Sequence, residues 1–243
     1  MRRFFAAPEN FSEKKIRLND DESRHLRDVL RLRVGEKVAV FDGAGNEFLC
    51  SIELIERKAV SLLIREKINA PSPESDLNLT LAVALLKGEK FDLVVQKATE
   101  LGVKRILPLE TARADVKIKD EKDVAKKLER WRRIALEAAK QSGRAVVPEI
   151  EKPIGFEDFV KTSSGERIFF AERGGEELNQ MSNKNFEELT IVVGAEGGWD
   201  EREIELARAE DFKIVTLGGR ILRAETAAIV TVALLQHLFG DLR

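Results

Sequence analysis

The sequence holds one cysteine, Cys50, two histidines, His25 and His237, and no apolar run approaching the roughly 18 residues of a membrane span. A lone thiol excludes an internal disulfide framework, and two isolated imidazoles offer no clustered metal ligands. Nothing near the first residues has the order of a signal peptide. A soluble cytoplasmic protein with no metal and no membrane partner is expected. What the chain does have is length and apolar content: 243 residues, 43% of them hydrophobic, enough for a real core in one large or two unequal domains.

The net charge of −2 argues weakly against a nucleic-acid partner, yet it averages over segregated charge. Residues 1–35 carry nine Arg/Lys against six Asp/Glu, and residues 122–144 carry eight against three. A solvated charged face explains each run as readily as a polyanion does. Taken together, Arg2, Arg3, Arg24, Arg27 and Arg31 near the start, with Arg132 and Arg133 further on, are candidates for phosphate contact.

One break divides the chain. "NAPSPESD", 69–76, combines two prolines and two serines with no apolar run, as a linker does. Before it, "KVAVFD", "EFLCSIELIE" and "AVSLLIREK" read as short strands, the first two joined by the turn "DGAGN", which suggests a small β-barrel. After it, "LNLTLAVALL", "RILPLE", "RIFFAE", "LTIVVGAE" and "KIVTLG" alternate with helical patterns, which predicts an α/β domain on a mostly parallel sheet. The expected division is 1–70, a linker over 71–76, and 77–243. In "HLRDVLRL" a helical first half would place Leu26, Val29 and Leu30 on one face. The longest helical pattern sets Val124, Leu128, Trp131, Ile134 or Ala135, and Ala138 on one stripe, with Gly143 as its stop.

Ligand chemistry is expected where parallel strands end. "VVGAEGGW" leaves one strand with G-x-x-G-G spacing, neither the dinucleotide fingerprint nor a Walker A loop. Adjacent Gly197 and Gly198 would let backbone approach a flat ligand, or form a tight turn with Asp200 capping the next helix. "TLGGRILRAETAA" ends the following strand, so two neighbouring strands are expected to finish in glycine-bearing loops across one pocket. There Ile221 and Leu222 could sandwich an aromatic ring, with Arg223, Glu225 and Thr226 at a helix start suited to polar recognition.

Five motifs in order, "HLRDVLRLRVGEKV", "KGEKFDLVVQKATELGV", "RWRRIALEAAKQSGR", "GAEGGW" and "LGGRILRAETA", resemble the RsmE family of 16S ribosomal RNA uracil-N3 methyltransferases in the SPOUT superfamily. The likeness spans nearly the whole chain. Ala195 and Trp199 depart from the family's usual "GPEGG" and following Phe. The resemblance implies an α/β SPOUT-type trefoil-knotted C-terminal methyltransferase domain with a small N-terminal PUA-like β-barrel, and a homodimer whose active site is completed at the subunit interface. It implies S-adenosyl-L-methionine as cofactor, held by the loops Phe170 to Gly174, Gly194 to Gly198 and Leu217 to Thr226. Within these loops the implied cofactor residues are Gly194, Glu196, Gly197, Gly198, Leu217, Gly218, Ile221, Leu222 and Thr226. It also implies 16S rRNA of the small ribosomal subunit as partner.

Uracil N3 is an imide nitrogen, so a carboxylate to take its proton and a guanidinium to stabilise the anion are the groups to seek. Arg113 or Arg144 is expected to orient the base, Glu137 to accept the proton, and Arg223 to stand in the cofactor loop. A SPOUT enzyme acting on tRNA or on a ribose 2'-hydroxyl, and a non-catalytic RNA-binding assembly protein, are the alternatives.

Overall fold

The computed structural model describes residues 1–181 and 186–242. The chain packs as two compact units, Met1–Glu74 with Ala139–Val147, and Ser75–Ala138 with Pro148–Arg243.

The first unit is built on β1 (Arg3–Phe5), β2 (Lys15–Leu18), β3 (Lys37–Phe41), β4 (Glu47–Ile55) and β5 (Val60–Ile68), in the order β1-β3-β4-β5-β2. The strands expected from the sequence pair within one five-stranded sheet, with β1 and β2 at the ends of the order. Alternate residues Val38, Val40, Cys50, Ile52, Val60 and Leu62 enter its core beside Phe4, Ile16 and Leu18. The "DGAGN" turn joins β3 to β4 as expected. Asp42 accepts from the N–H groups of Ala44 (2.8 Å) and Asn46 (3.0 Å), and Gly43 and Gly45 take the positive φ this geometry needs.

Helix α1 (Asp20–Arg24) starts on Asn19, whose side chain accepts from the N–H of Glu22 at 2.9 Å. It then widens into a π turn over residues 25–29. That turn breaks the expected i, i+3, i+4 face. Leu26 is fully buried, but Val29 stands 68% exposed.

The second unit is a parallel sheet of eight strands: β6 (Asn78–Ala84), β7 (Arg105–Glu110), β8 (Glu149–Ile150), β9 (Ile154–Gly155), β10 (Arg167–Phe170), β11 (Glu176–Glu177), β12 (Glu188–Val193) and β13 (Lys213–Thr216). The order is β11-β13-β10-β12-β6-β7-β8, with β9 also on β7. Apolar runs such as Leu79 to Ala84 are buried throughout, as in a sheet covered on both faces. Its helices are α2 (Lys90–Glu100), α3 (Glu121–Ser142), α4 (Phe156–Thr162), α5 (Glu201–Ala209) and α6 (Ala224–Phe239). Phe156 and Phe159 of α4 and Ala207 of α5 pack with Phe169, Val192 and Trp199 in one core.

The predicted stripe of α3 is real: Leu128, Trp131, Ala135 and Ala138 are buried, and the Trp131 ring lies 4.4 Å from that of Phe91. Gly143 ends the helix at φ +83°. The last turn of α3 belongs to the first unit, a return that the linear division at 71–76 did not foresee. The chain passes between units at Glu74 and Ser75, inside that stretch.

Ion pairs explain the return. Arg3 pairs with Glu47 through two hydrogen bonds of 2.9 Å and donates to the carbonyls of Ala139 (3.1 Å), Lys140 (3.4 Å) and Arg144 (2.7 Å), satisfying acceptors that the helix end leaves over. Lys140 reaches Glu22 at 2.8 Å, and Arg144 reaches Glu74 at 2.7 Å. Arg3 and Arg144 were expected to touch RNA and substrate. The structure corrects both: Arg144 is 2% exposed, and the guanidinium of Arg3 is taken up by Glu47, three carbonyls and the face of Phe41 at 4.1 Å.

Candidate functional site

The neighbours expected from sequence are not neighbours. Strand β10 lies between β12 and β13, so the pocket forms beyond the C-terminal ends of three adjacent strands. Phe170 to Glu172 at the end of β10, Val193 to Glu196 at the end of β12, and Leu217, Gly218, Arg220 to Ala224 and Ala227 after β13 surround a cavity of about 370 Å³.

Most of the wall is apolar, and the end of β12 shows how it is held. Trp199, 4% exposed, packs on Phe169 at 4.3 Å and Phe156 at 5.2 Å, and its indole N–H donates to the carbonyl of Phe170 at 2.9 Å. A Cβ on Gly194 would sit 2.9 Å from that indole, so glycine is what lets β12 run over it. The N–H of Gly198 donates to the carbonyl of Ala195 at 3.0 Å, closing a turn with Gly198 at φ +69°.

Gly197 and Gly198 are approached by the protein itself. A Cβ at Gly197 would meet the Arg113 carbonyl at 2.8 Å, and one at Gly198 would meet the Glu172 carboxylate at 2.7 Å. Asp200 caps α5 in a capping box with Glu203. Glu203 also accepts from the N–H of Ala112 at 2.8 Å, which fixes the loop carrying Arg113, and Arg113 pairs with Asp200 at 3.4 Å.

Across the pocket, Ile221 is 67% exposed and Leu222 half-buried beside it. Arg223 is the N-cap residue of α6 and lines the cavity; Thr226 does not. Glu137 is exposed on α3, with Arg132 and Arg133 also exposed there. Arg2, Arg24 and Arg31 are exposed in the first unit, Arg24 beside Asp20 at 3.3 Å. Arg27 is instead held by Asp28 and by the carbonyls of Glu56 and Arg57.

Sequence reasoning missed Lys90. The first residue of α2, it lines the cavity, donates to Glu196 at 3.0 Å and stands 3.6 Å from Glu225. Burial pushes the Glu196 carboxyl up, but hydrogen bonds from the Lys90 ammonium and from backbone N–H groups outweigh it and hold the group below its usual range. The hydrogen bond to Glu196 holds the Lys90 ammonium above its own, against burial and the charge of Arg223. "KGEKFDL" was visible as a motif, but a charged residue at a helix start gives no sign of its partners.

This fold and pocket define an RNA methyltransferase of two domains: residues 73–236 match the RNA methyltransferase domain family, and residues 18–65 the RNA methyltransferase PUA domain family. Ribosomal RNA small subunit methyltransferase E of Rickettsia conorii is 36% identical over 224 residues, covering 90% of this chain and 88% of the relative. The crystal structure of ribosomal RNA small subunit methyltransferase E from Neisseria gonorrhoeae, bound to S-adenosyl methionine, is 34% identical, covers 100% of both chains and superposes with a TM-score of 0.89. A Legionella pneumophila methyltransferase in complex with bound cofactor SAM is 33% identical over 98% of both chains, with a TM-score of 0.88. The chain belongs to the ribosomal RNA small subunit methyltransferase E family.

Proposed function

We propose that this protein transfers a methyl group from S-adenosyl-L-methionine to N3 of a uridine in the 16S rRNA of the small ribosomal subunit. The observation that carries the reading is the cavity beyond β10, β12 and β13: mostly apolar walls for a flat nucleoside, with Lys90, Glu172, Glu196, Arg220 and Arg223 in the lining for an amino-acid tail. Gly194, Glu196, Leu217, Gly218, Ile221 and Leu222 would hold the cofactor, while Gly197 and Gly198 shape their loop and Thr226 starts the helix behind it. When bound, S-adenosyl-L-methionine supplies an already activated methyl group, so no metal is needed.

The remaining work falls to side chains. Arg113, set by Glu203 and half-exposed, orients the base and stabilises charge on its carbonyl oxygens; Arg223 adds positive charge at the cavity wall. Glu137 is assigned as proton acceptor. A stacked target base has to be turned out before it can enter. Arg2, Arg24, Arg31, Arg132 and Arg133, all exposed, are proposed to meet phosphates.

The finer fold reading is that of a SPOUT-type domain with a trefoil knot in the cofactor loops, supported by an interleaved strand order in which β10 separates β12 from β13. A homodimer in the cytoplasm completes the proposal. Helix α6 is largely apolar, with Ile229 and Val230 half-buried and Leu234 exposed, which suits a second copy of the chain.

The test incubates the protein with labelled donor and small subunits from a modification-deficient strain, then maps the product nucleotide. Methyl on uracil N3 is the expected result. Label on a ribose hydroxyl, or on tRNA alone, would overturn it.

A further inference from the structure

One ammonium joins three elements at the cofactor cavity. Lys90 opens α2, Glu196 lies in the loop after β12, and Glu225 lies in the first turn of α6. Glu196 Oε1 accepts from Lys90 Nζ at 3.0 Å and from the Lys87 N–H, just ahead of α2, at 3.3 Å. Glu225 Oε2 is buried and accepts no hydrogen bond among the described residues, while Lys90 Nζ stands 3.6 Å away. The side chains of Glu196 and Glu225 are 22% and 13% exposed, so both carboxylates are largely withdrawn from water beside the cavity. Without a cation between them they would repel, pushing the loop after β12 away from the start of α6.

We propose that Lys90 is a positioning residue that clamps the loop after β12 to the start of α6, fixing the width of the cavity for the adenosyl donor. The inference rests on the cavity being the donor site. Lys90 acts through Glu196 and Glu225 rather than on the transferred methyl, so its loss acts on donor affinity and leaves the transfer step nearly alone. Its long stem carries the ammonium to both acids from a helix that is itself anchored by Phe91 and Val94 in the core.

Lys90→Met keeps the stem and removes the charge. Calorimetry with S-adenosylhomocysteine should show affinity roughly tenfold weaker, the worth of about one charge-assisted hydrogen bond. KM for the donor should rise in parallel while kcat stays within about twofold, and Lys90→Arg should restore most of the loss. In a Glu196→Gln background the same substitution should cost much less, because the acid it holds has lost its charge. Wild-type affinity in Lys90→Met, or an equal loss in both backgrounds, overturns the clamp. Should Lys90→Met fail to fold, Glu225→Gln alone, at an acid that does not line the cavity, must weaken the S-adenosylhomocysteine complex for the proposal to stand. Methylation of uracil N3 by the wild type, read in the same assays, separates the outcomes. With it intact and Lys90→Met unchanged, only the clamp falls; a wild type that binds no S-adenosylhomocysteine removes clamp and donor site together.

Discussion

The indole of Trp199 does more than fill space beneath the loop after β12. Where the family's usual residue is Phe, its N–H reaches the Phe170 carbonyl, tying the end of β12 to the end of β10. Trp199→Phe should therefore cost about 1 kcal/mol, the net worth of a typical hydrogen bond, measured by urea unfolding. Gly194→Ala should cost more, about 1–3 kcal/mol, because its methyl would lie 2.9 Å from a ring that Phe156 and Phe169 hold in place. The Lys90–Glu196 pair sets a pH dependence with a definite sign. Glu196 is depressed, so its contribution is complete above the ordinary carboxylate range and fades as pH falls through the lowered value. Lys90 is raised, so its contribution is complete below about 10.4 and fades as pH climbs past the raised value. Affinity for S-adenosylhomocysteine should accordingly stay flat between about pH 5 and pH 10 as far as this pair decides it, with titration calorimetry as the check. Cys50 is pushed up to about 12 by burial, so native protein should resist alkylation at pH 8 and react once unfolded.

Elements were legible in proportion to their length and regularity. Strands β3 to β7, β10, β12 and β13 announce themselves as apolar runs, and α3 by a stripe that the structure buries. Strands β8, β9 and β11 have two residues each and carry no period to read. The π turn after α1 has no sequence signature, so a helical period places Val29 inward when it faces water. Arg3 and Arg144 read as RNA and substrate contacts because their partners, Glu47 and Glu74, lie 44 and 70 positions away along the chain. A basic cluster looks the same whether it awaits phosphate or already holds acids. Arg144→Ala should cost about 3 kcal/mol, since removing one partner of a buried pair strands the other. Equilibrium unfolding of that variant would show the loss directly.

For the whole molecule, the Pro-Ser stretch falls where the chain first passes between units and the glycine motifs fall on the wall of the cavity, but the strand order could not be read from the sequence. Sequence periodicity records which residues face inward; it does not record which strand lies beside which, and β10 comes between the two loops expected to be adjacent. The separation of RNA contact from donor binding is testable. Reversing Arg31, Arg132 and Arg133 to Glu should weaken RNA binding and flatten its salt dependence, by roughly one unit of slope for each phosphate that the variant no longer neutralises. Affinity for S-adenosylhomocysteine should not change, and equal loss of both would refute the assignment.

The interleaving of the parallel sheet has a consequence in time. β10 is synthesised before β12, yet β12 lies between β10 and β6 in the finished sheet, so the earlier strand cannot simply zip onto what is already there. A berth one strand wide has to stay open, or reopen, until the later segment arrives. Such long-range pairing should make refolding from denaturant slow and multiphasic, with the loops around the cavity among the last parts to form.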